Sequence, residues 1–312
     1  MVSKMLTSER LIDRTNVSIE EAASGHIVKD VFTTIKIGIV VSNLITAFAG
    51  AWLALYFTGQ SALTELLQLV LVLSGTAMVI AGGCALNNYI DRDIDPIMER
   101  THGRPSATGR LTGKTILALG FAFAIAGLVL LFAASSSAAV FGLAGLFTYV
   151  LIYTMWLKRA HTINTIVGSF AGAVPPLIGW AAIDPSLNSP IPWILFLIMF
   201  IWQPPHFLAL AIKRVEEYRS AGIPMLPVVA GFAITKRQMI VYVAVLLPVS
   251  LLLYSLGAFY LVAAFLMGSA WLAYAVYGLF AKDTVAWSRV MFVISLNYLT
   301  LLFFVMVLST FI

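Results

Sequence analysis

Nine long apolar segments decide what this chain can fold into. An apolar run of about 20 residues is long enough to cross the hydrocarbon core of a bilayer as a helix. Hydrophobic residues make up 61% of the chain and charged residues 11%, a composition outside the range of soluble globular proteins. We therefore predict an all-α polytopic membrane protein, a bundle of nine transmembrane helices. The segments lie at 34–57, 66–90, 115–134, 137–157, 163–183, 190–212, 237–257, 259–281 and 288–311.

The placement of lysine and arginine tests this segment count independently, because both accumulate in short cytoplasmic loops. All 19 lie in the N-terminal tail or around the connections between segments 2–3, 4–5, 6–7 and 8–9. The other face carries only Glu65 and Asp184 as charged groups. This pattern predicts a cytoplasmic N-terminus and a C-terminus on the outer face. The net charge of +5 follows from that topology and requires no nucleic-acid partner.

The region before the first segment is polar. With residues such as Glu9 and Glu20 it is too acidic for a mitochondrial transit peptide and too polar for a signal peptide. We expect a polar cytoplasmic tail over 1–33, a single nine-helix domain over 34–312, and a location in a bacterial cytoplasmic (inner) membrane. The single cysteine, Cys84, lies inside the second segment and cannot form an intrachain disulfide, so we expect a small buried side chain.

The second segment ends in carboxylates, which apolar segments do not normally do. If its helix continues, Asn87, Asp91 and Asp95 fall at i, i+4 and i+8, so three oxygen side chains share one face. Pro96 disfavours helical geometry at Asp95, so the helix should end there. Stacked carboxylates repel one another, whereas a hard cation such as Mg2+ binds such oxygens and usually a substrate phosphate as well. The alternative is a solvated acidic loop, neutralised by Arg92, Arg100 and Arg104.

Basic residues follow on the same face of the membrane. The loop after the acidic stretch carries four of them between Arg100 and Lys114, as binding of a polyanion carried on a metal requires. The positive-inside pattern alone also predicts basic residues there. The fourth segment ends in aromatic residues followed by Lys158 and Arg159, so two further cations meet an aromatic cluster at this face. An ordinary interfacial aromatic belt is the alternative.

Two later segments contain helix-disturbing residues. The sixth carries Trp-Gln-Pro-Pro-His-Phe over 202–207, and its double proline predicts an interruption of the helix. An intramembrane histidine beside such a break, His206, is a functional candidate, although a lone histidine also often satisfies a neighbouring polar group. In the fifth segment, Gly168, Gly172 and Gly179 predict close approach of a neighbouring backbone.

A second mixed-charge cluster, from Lys213 to Arg219, follows the sixth segment much as the first follows the second. Lys213 and Glu217 at i, i+4 could simply pair on a helix surface, which would stabilise little. The position of the cluster favours function. The two acidic patches follow the second and the sixth segments. This spacing of four helices suggests that the patches are facing halves of one site, from an internal repeat.

The pattern Asn87-xxx-Asp91-xxx-Asp95 resembles the first aspartate motif of the UbiA-type intramembrane prenyltransferases, and the second charged loop stands where that superfamily keeps its second motif. The similarity extends along nearly the whole chain after the tail. Within the superfamily, 87–110, 153–182 and especially 205–227 resemble the protoheme IX farnesyltransferases, also called heme O synthases. The last of these stretches contains Pro-His-Phe and Pro-Met-Leu-Pro.

The resemblance implies transfer of a farnesyl group from farnesyl diphosphate to a vinyl group of heme b, giving heme O with release of diphosphate. It implies Mg2+ as cofactor and the lipid bilayer as surroundings. It also implies heme A synthase or terminal-oxidase assembly proteins as partners that receive the product. The chain departs from the superfamily at two places: Lys213 stands where an aspartate usually opens the second motif, and Thr154 stands where a tyrosine is usual, with Tyr153 one residue earlier.

The residues and the resemblance together predict the site. Asn87, Asp91 and Asp95 are the predicted catalytic groups and metal ligands, with Glu216 and Glu217 as further metal ligands. The predicted diphosphate ligands are Arg92, Arg100, Arg104, Lys158, Arg159, Lys213 and Arg214. The predicted heme-binding residues are Trp202 and His206. Two other functions compete: a prenyltransferase with a quinone-precursor acceptor, and a transporter, although a transporter favours charges near the bilayer midplane.

Overall fold

The computed structural model describes residues 27–312, so most of the tail predicted over 1–33 lies outside the described residues. Within the described range, nine helices are long and apolar enough to cross a membrane, which confirms the predicted all-α bundle. They are α1 (Ile37–Thr58), α2 (Leu66–Ile90), α3 (Gly113–Ala134), α4 (Ser136–Ala160), α5 (Asn164–Ile183), α6 (Ile191–Lys213), α7 (Gly231–Leu251), α8 (Ala258–Tyr277) and α9 (Thr284–Leu308).

Polar residues at the ends of the apolar runs explain several helix boundaries. The Thr112 hydroxyl accepts a hydrogen bond from the Thr115 backbone N–H at the start of α3. Ser135 does the same for Ala138 at the start of α4, and its hydroxyl also donates to the Ala181 carbonyl of α5 at 2.6 Å. These side chains satisfy backbone donors that a helix leaves unpaired in its first turn.

α7 begins at Gly231, six residues before the predicted start at 237, so the predicted boundary was wrong. The predicted segment left Lys236 outside the helix. In the structure Lys236 is buried within the helix, and its ammonium lies over the Trp287 ring at 5.5 Å from the ring centroid. A cation over an aromatic face is stabilised without a carboxylate, which lets a charged residue stand inside a spanning helix.

α6 continues through its two prolines, so the predicted interruption was also wrong. Proline holds φ near about −65°, which is helical, and the cost of proline lies mainly in lost hydrogen bonds and a steric clash. Residues 201–206 are all buried. The Gln203 side chain adds a tie to α5 by donating to the Ser169 carbonyl at 3.1 Å. Packing on both sides therefore keeps the helix intact across the prolines.

α5 and α6 lie at the centre of the bundle. α5 packs against α1, α4 and α6, whereas α6 packs against α5, α7 and α9. At the α1–α5 contact the backbones touch: a Cβ on Gly179 would lie 1.9 Å from the Ala47 carbonyl oxygen, and one on Gly50 would lie 2.1 Å from that of Pro176. This confirms the close approach predicted for the fifth segment.

Candidate active site

A cavity of about 490 Å³ opens between α1, α2, α4, α5, α6 and α9. One end is lined by charged side chains, and the rest is mostly apolar or aromatic. The charged lining residues are Lys36, Asp91, Asp95, Arg100, Arg104 and Lys158. Apolar lining residues include Val79, Ile178, Met199, Leu299 and Phe303. Such a cavity suits a ligand with a compact polar head and a long apolar tail.

The acidic stretch shapes the charged end. α2 ends at Ile90, earlier than predicted, and two short 3₁₀ turns follow at Asp91–Asp93 and Asp95–Ile97. Both carboxylates that face the cavity, Asp91 and Asp95, are fully buried. The tighter turns therefore preserve the grouping that a continuous helix was expected to produce.

Lys158 of α4 and Arg104 of the same loop hold these carboxylates. Asp91 Oδ2 accepts hydrogen bonds from Lys158 Nζ at 2.5 Å and from Asn87 Nδ2 at 2.8 Å. Arg104 donates to both oxygens of Asp95, each at 2.9 Å. Lys158 and Arg104 are only 13% and 15% exposed, so both pairs are shielded from water. Shielding makes these interactions stronger than surface pairs and costly to break.

Lys36 was missed by the sequence reasoning. It lies at the start of the first predicted segment, where the positive-inside pattern already accounts for a lysine. In the structure its Nζ donates to Asn87 Oδ1 at 2.5 Å, and burial lowers the pKa of its ammonium to about 8. Its φ is 53°, and only one other non-glycine residue in the described range has a positive φ. This sparsely populated backbone conformation turns Lys36 at the start of α1, where it lines the cavity.

The oxygens of the motif fit a hard cation. Asp91 Oδ1 is buried and accepts no hydrogen bond within 27–312, and the Arg159 guanidinium lies 3.7 Å from it. Carboxylate and amide oxygens are the ligands that Mg2+ accepts. Among the residues described, no group of three or more His, Cys, Asp or Glu side chains could hold a metal ion. A cation here would therefore need oxygens of a ligand to complete its coordination.

α4 contains a π-helical stretch, Thr148–Leu157, which the sequence reasoning did not predict. Tyr149, Tyr153 and Lys158 line the cavity from this part of α4. The two tyrosine rings stack with centroids 5.9 Å apart. Thr154 donates to the Tyr149 carbonyl at 2.7 Å and accepts from Asn87 Nδ2 at 3.1 Å. The threonine that departs from the superfamily pattern thus ties α4 to the motif.

Two of the predicted diphosphate ligands near the motif do not line the cavity. Arg92 donates to the carbonyl of Tyr89 at 2.7 Å, and its guanidinium lies over the Tyr89 ring at 4.1 Å. Arg159 is held by Asp93, whose two oxygens accept its hydrogen bonds at 2.6 and 2.7 Å. Arg100, Arg104 and Lys158 do line the cavity, as do Trp202 and His206.

The second charged loop is placed differently from the prediction. Glu217 pairs with Arg214 and Glu216 with Arg219, each across three residues, and neither carboxylate lines the cavity. Lys213 is exposed. This placement runs against a role for the two glutamates as metal ligands and for Lys213 and Arg214 as diphosphate ligands, because each acid is neutralised by an arginine of its own turn.

The two loops nevertheless meet. Ile94 and Met98 of the first pack with Ile223 and Met225 after the second in one buried apolar cluster. The Glu217 carboxylate accepts from the Arg100 backbone N–H at 3.3 Å. Tyr218 lines the cavity, and burial raises the pKa of its hydroxyl. The second loop therefore contributes to the site through packing and Tyr218.

Comparison with known proteins identifies the family. The model of the UbiA prenyltransferase family matches residues 43–305, most of the chain. The chain belongs to the UbiA prenyltransferase family. Among relatives, a protoheme IX farnesyltransferase of Alkalihalophilus pseudofirmus is 57% identical and covers 98% of this chain and 100% of its own length. One from Geobacillus kaustophilus is 56% identical over 90% of this chain and 91% of its own.

Several solved structures share the fold. A structure of digeranylgeranylglyceryl phosphate synthase superimposes with a TM-score of 0.75 at 17% identity, covering 91% of this chain and 98% of that one. A UbiA homolog from Archaeoglobus fulgidus bound to DMAPP and Mg2+ gives 0.60 at 13% identity, covering 89% and 99%. At these identities the similarity shows the architecture of the family.

Proposed function

We propose that this chain transfers a farnesyl group from farnesyl diphosphate to a vinyl group of heme b, forming heme O and releasing diphosphate. The observation that carries the proposal is a cavity with a charged end and an apolar body, in a chain more than half identical to protoheme IX farnesyltransferases over nearly its full length. We place the enzyme in the cytoplasmic membrane, since the relatives are bacterial and the chain has nine apolar helices in its described part.

The charged end of the cavity has the charge needed to bind a diphosphate. Four cations line it beside two carboxylates, so it carries excess positive charge before a ligand binds. Lys36, Arg104 and Lys158 already donate to motif oxygens and can redirect hydrogen bonds to phosphate oxygens. Charge-assisted hydrogen bonds of this kind are about twice as strong as neutral ones. The side chains that neutralise the motif thus become the side chains that bind the substrate.

Asn87, Asp91 and Asp95 would hold Mg2+ together with diphosphate oxygens. When bound, the ion supplies Lewis-acid stabilisation of the charge that develops on the leaving diphosphate. A UbiA homolog of the same fold has been solved with DMAPP and Mg2+, which supports this assignment. We propose one metal site on this motif, since Glu216 and Glu217 lie outside the cavity.

The reaction starts at the first carbon of the farnesyl chain. Its bond to the diphosphate oxygen breaks, and the electron pair leaves with the diphosphate. Lys158, Arg104 and Lys36 are positioned in advance for that charge, so little reorganisation is needed as it forms. The allylic cation must not meet water, and the aromatic faces of Tyr149 and Tyr153 beside an apolar wall exclude water and stabilise positive charge.

The heme vinyl group then supplies the electron pair for the new carbon–carbon bond. This leaves a cation on the vinyl carbon next to the macrocycle. Water adds to that carbon and loses a proton, which gives a hydroxyethylfarnesyl group and balances the reaction. Trp202 and His206 line the same cavity and are the proposed heme contacts. Delivery of the product to heme A synthase or oxidase assembly proteins stays a prediction from the resemblance.

An assay of the purified, detergent-solubilised protein tests the proposal. Heme b, farnesyl diphosphate and Mg2+ are supplied, and heme O is scored by chromatography and mass. We expect heme O from the wild type and none after EDTA treatment. Turnover of a phenolic acceptor with no heme O, from protein that melts like a folded chain, would overturn the heme assignment and favour a quinone-precursor prenyltransferase.

A further inference from the structure

His206 is held more rigidly than a cavity-lining side chain needs to be. Its ring stacks between those of Trp202 and Phe292, with each pair of centroids 4.6 Å apart. Its Nδ1 lies 2.7 Å from the hydroxyl oxygen of Ser295 on α9. Trp202 is held by the same residue, because its Nε1–H donates to the Ser295 carbonyl at 2.8 Å. One serine therefore anchors both predicted heme contacts.

The hydrogen bonds of Ser295 decide which nitrogen of His206 carries the proton. A serine hydroxyl has one hydrogen to donate. Ser295 donates it to the Phe292 carbonyl, 2.6 Å away. The hydroxyl oxygen can therefore only accept from His206, so Nδ1 carries the hydrogen and Nε2 carries the lone pair. Nε2 has no hydrogen-bond partner in the part of the chain that the structure describes, and His206 lines the cavity.

From this geometry we propose that Ser295 is a positioning residue that presents Nε2 of His206 to the cavity as an axial ligand of the heme iron. The inference rests on the proposed function, which brings heme into this cavity. Neutral imidazole with one nitrogen on the metal and the other hydrogen-bonded is the usual arrangement of a histidine ligand. Imidazole is also a standard ligand of heme iron.

The same geometry argues against the other ways in which His206 could contact heme. A propionate is an acceptor and needs a donor, but the only N–H of the neutral ring already reaches Ser295. Ser295 is neutral and buried, so the ring has no carboxylate behind it to stabilise an imidazolium. Coordination uses the lone pair without charging the ring. It would also hold the macrocycle at a set position relative to the farnesyl cation.

Absorption spectroscopy of the full chain titrated with ferric heme b, without farnesyl diphosphate, tests the inference. We expect the wild type to give the spectrum of nitrogen-ligated heme and His206→Ala to lose it. Ser295→Ala should weaken heme binding by about 10- to 100-fold, the usual effect of losing the hydrogen-bond partner of a metal ligand. Ser295→Thr keeps a hydroxyl and should restore most of the affinity.

Ser288→Ala is the matched control. Ser288 is a buried serine of the same helix whose hydroxyl donates to a carbonyl three residues earlier, and it does not line the cavity. It should leave the heme spectrum unchanged. Free imidazole added to His206→Ala should restore the ligated spectrum, which separates loss of the ligand from loss of the fold.

The outcomes separate this inference from the proposed function. Heme O formation by a wild type whose heme spectrum is the same with and without His206 would refute iron ligation and leave the function standing. A heme spectrum that depends on His206 and Ser295, with no heme O formed, would support iron ligation and refute the proposed function. Equal heme affinity in Ser295→Ala and wild type would refute the positioning role.

Discussion

The two charged loops on the same face of this bundle look alike in sequence and behave differently in the structure. In the first, Asp91 and Asp95 are fully buried and are held by cations from α4 and from the loop itself. In the second, Glu216 is 77% exposed on its side chain and pairs with Arg219, three residues away. One loop keeps its carboxylates at the end of a cavity, and the other pairs each of its carboxylates with an arginine three residues away.

The difference shows which kind of charge cluster can become a site. A carboxylate neutralised within its own turn does not need a ligand or a cation from elsewhere to balance its charge. Such a local pair also contributes little to stability. A buried carboxylate neutralised by cations from outside its own turn places several strong donors around one point. When a polyanion enters, those donors are already in position. The two loops differ less in their number of charges than in where the cation that neutralises each carboxylate comes from.

The largest expected effect is on the first loop. Asp91→Asn should lower kcat/KM for farnesyl transfer by about 10²- to 10³-fold, as loss of one preorganised electrostatic group typically does. The substitution removes a charge from the proposed metal site and the carboxylate partner of Lys158. Steady-state kinetics with heme b and farnesyl diphosphate measure it. Glu216→Gln is the matched control, and its kcat/KM should stay near that of the wild type. An equal loss of kcat/KM in the two variants would refute the contrast between the loops.

An effect of comparable size is expected on stability. Lys158→Met leaves the Asp91 carboxylate buried without its nearest cation, which should cost about 3–5 kcal/mol. Arg219→Met, which breaks the exposed pair with Glu216, should cost about 0–1 kcal/mol. Thermal melting of the detergent-solubilised variants compares them. The double variant Lys158→Met with Asp91→Asn should melt higher than Lys158→Met alone, and a lower melting point would show that the buried pair does not explain the loss.

The smallest effect concerns the contact between the loops. Glu217→Ala removes the acceptor of the Arg100 backbone N–H and the partner of Arg214, so the first loop should loosen slightly. We expect a rise of a few-fold in KM for farnesyl diphosphate, with kcat and the Mg2+ dependence unchanged. Activity measured across a Mg2+ titration checks both. A shifted Mg2+ dependence would restore Glu217 as a metal ligand and make the two loops halves of one metal site.

Much of the site could be read from residue spacing. Asn87, Asp91 and Asp95 recur at intervals of four, so the helix and the turns after it group them on one side. Lys158 and Arg104 follow from their position at the same face of the membrane. No such signal marked Lys36 or Ser295. Lys36 lies 51 residues from Asn87, and Ser295 lies 89 residues from His206. The second loop was misplaced because its charges can pair locally or across the site, and spacing permits both.

The sequence by itself determined the nine spanning helices of residues 27–312 and the face on which the charges gather, because the length of an apolar run and the placement of lysine and arginine are properties of the chain. Only the tertiary structure decided which polar side chains meet. In a membrane bundle, residues that face lipid, core or cavity are all largely apolar, so hydropathy does not tell these faces apart. Close contacts such as α1 on α5 turn particular faces inward, and that packing brings Lys36 to Asn87 and Ser295 to His206.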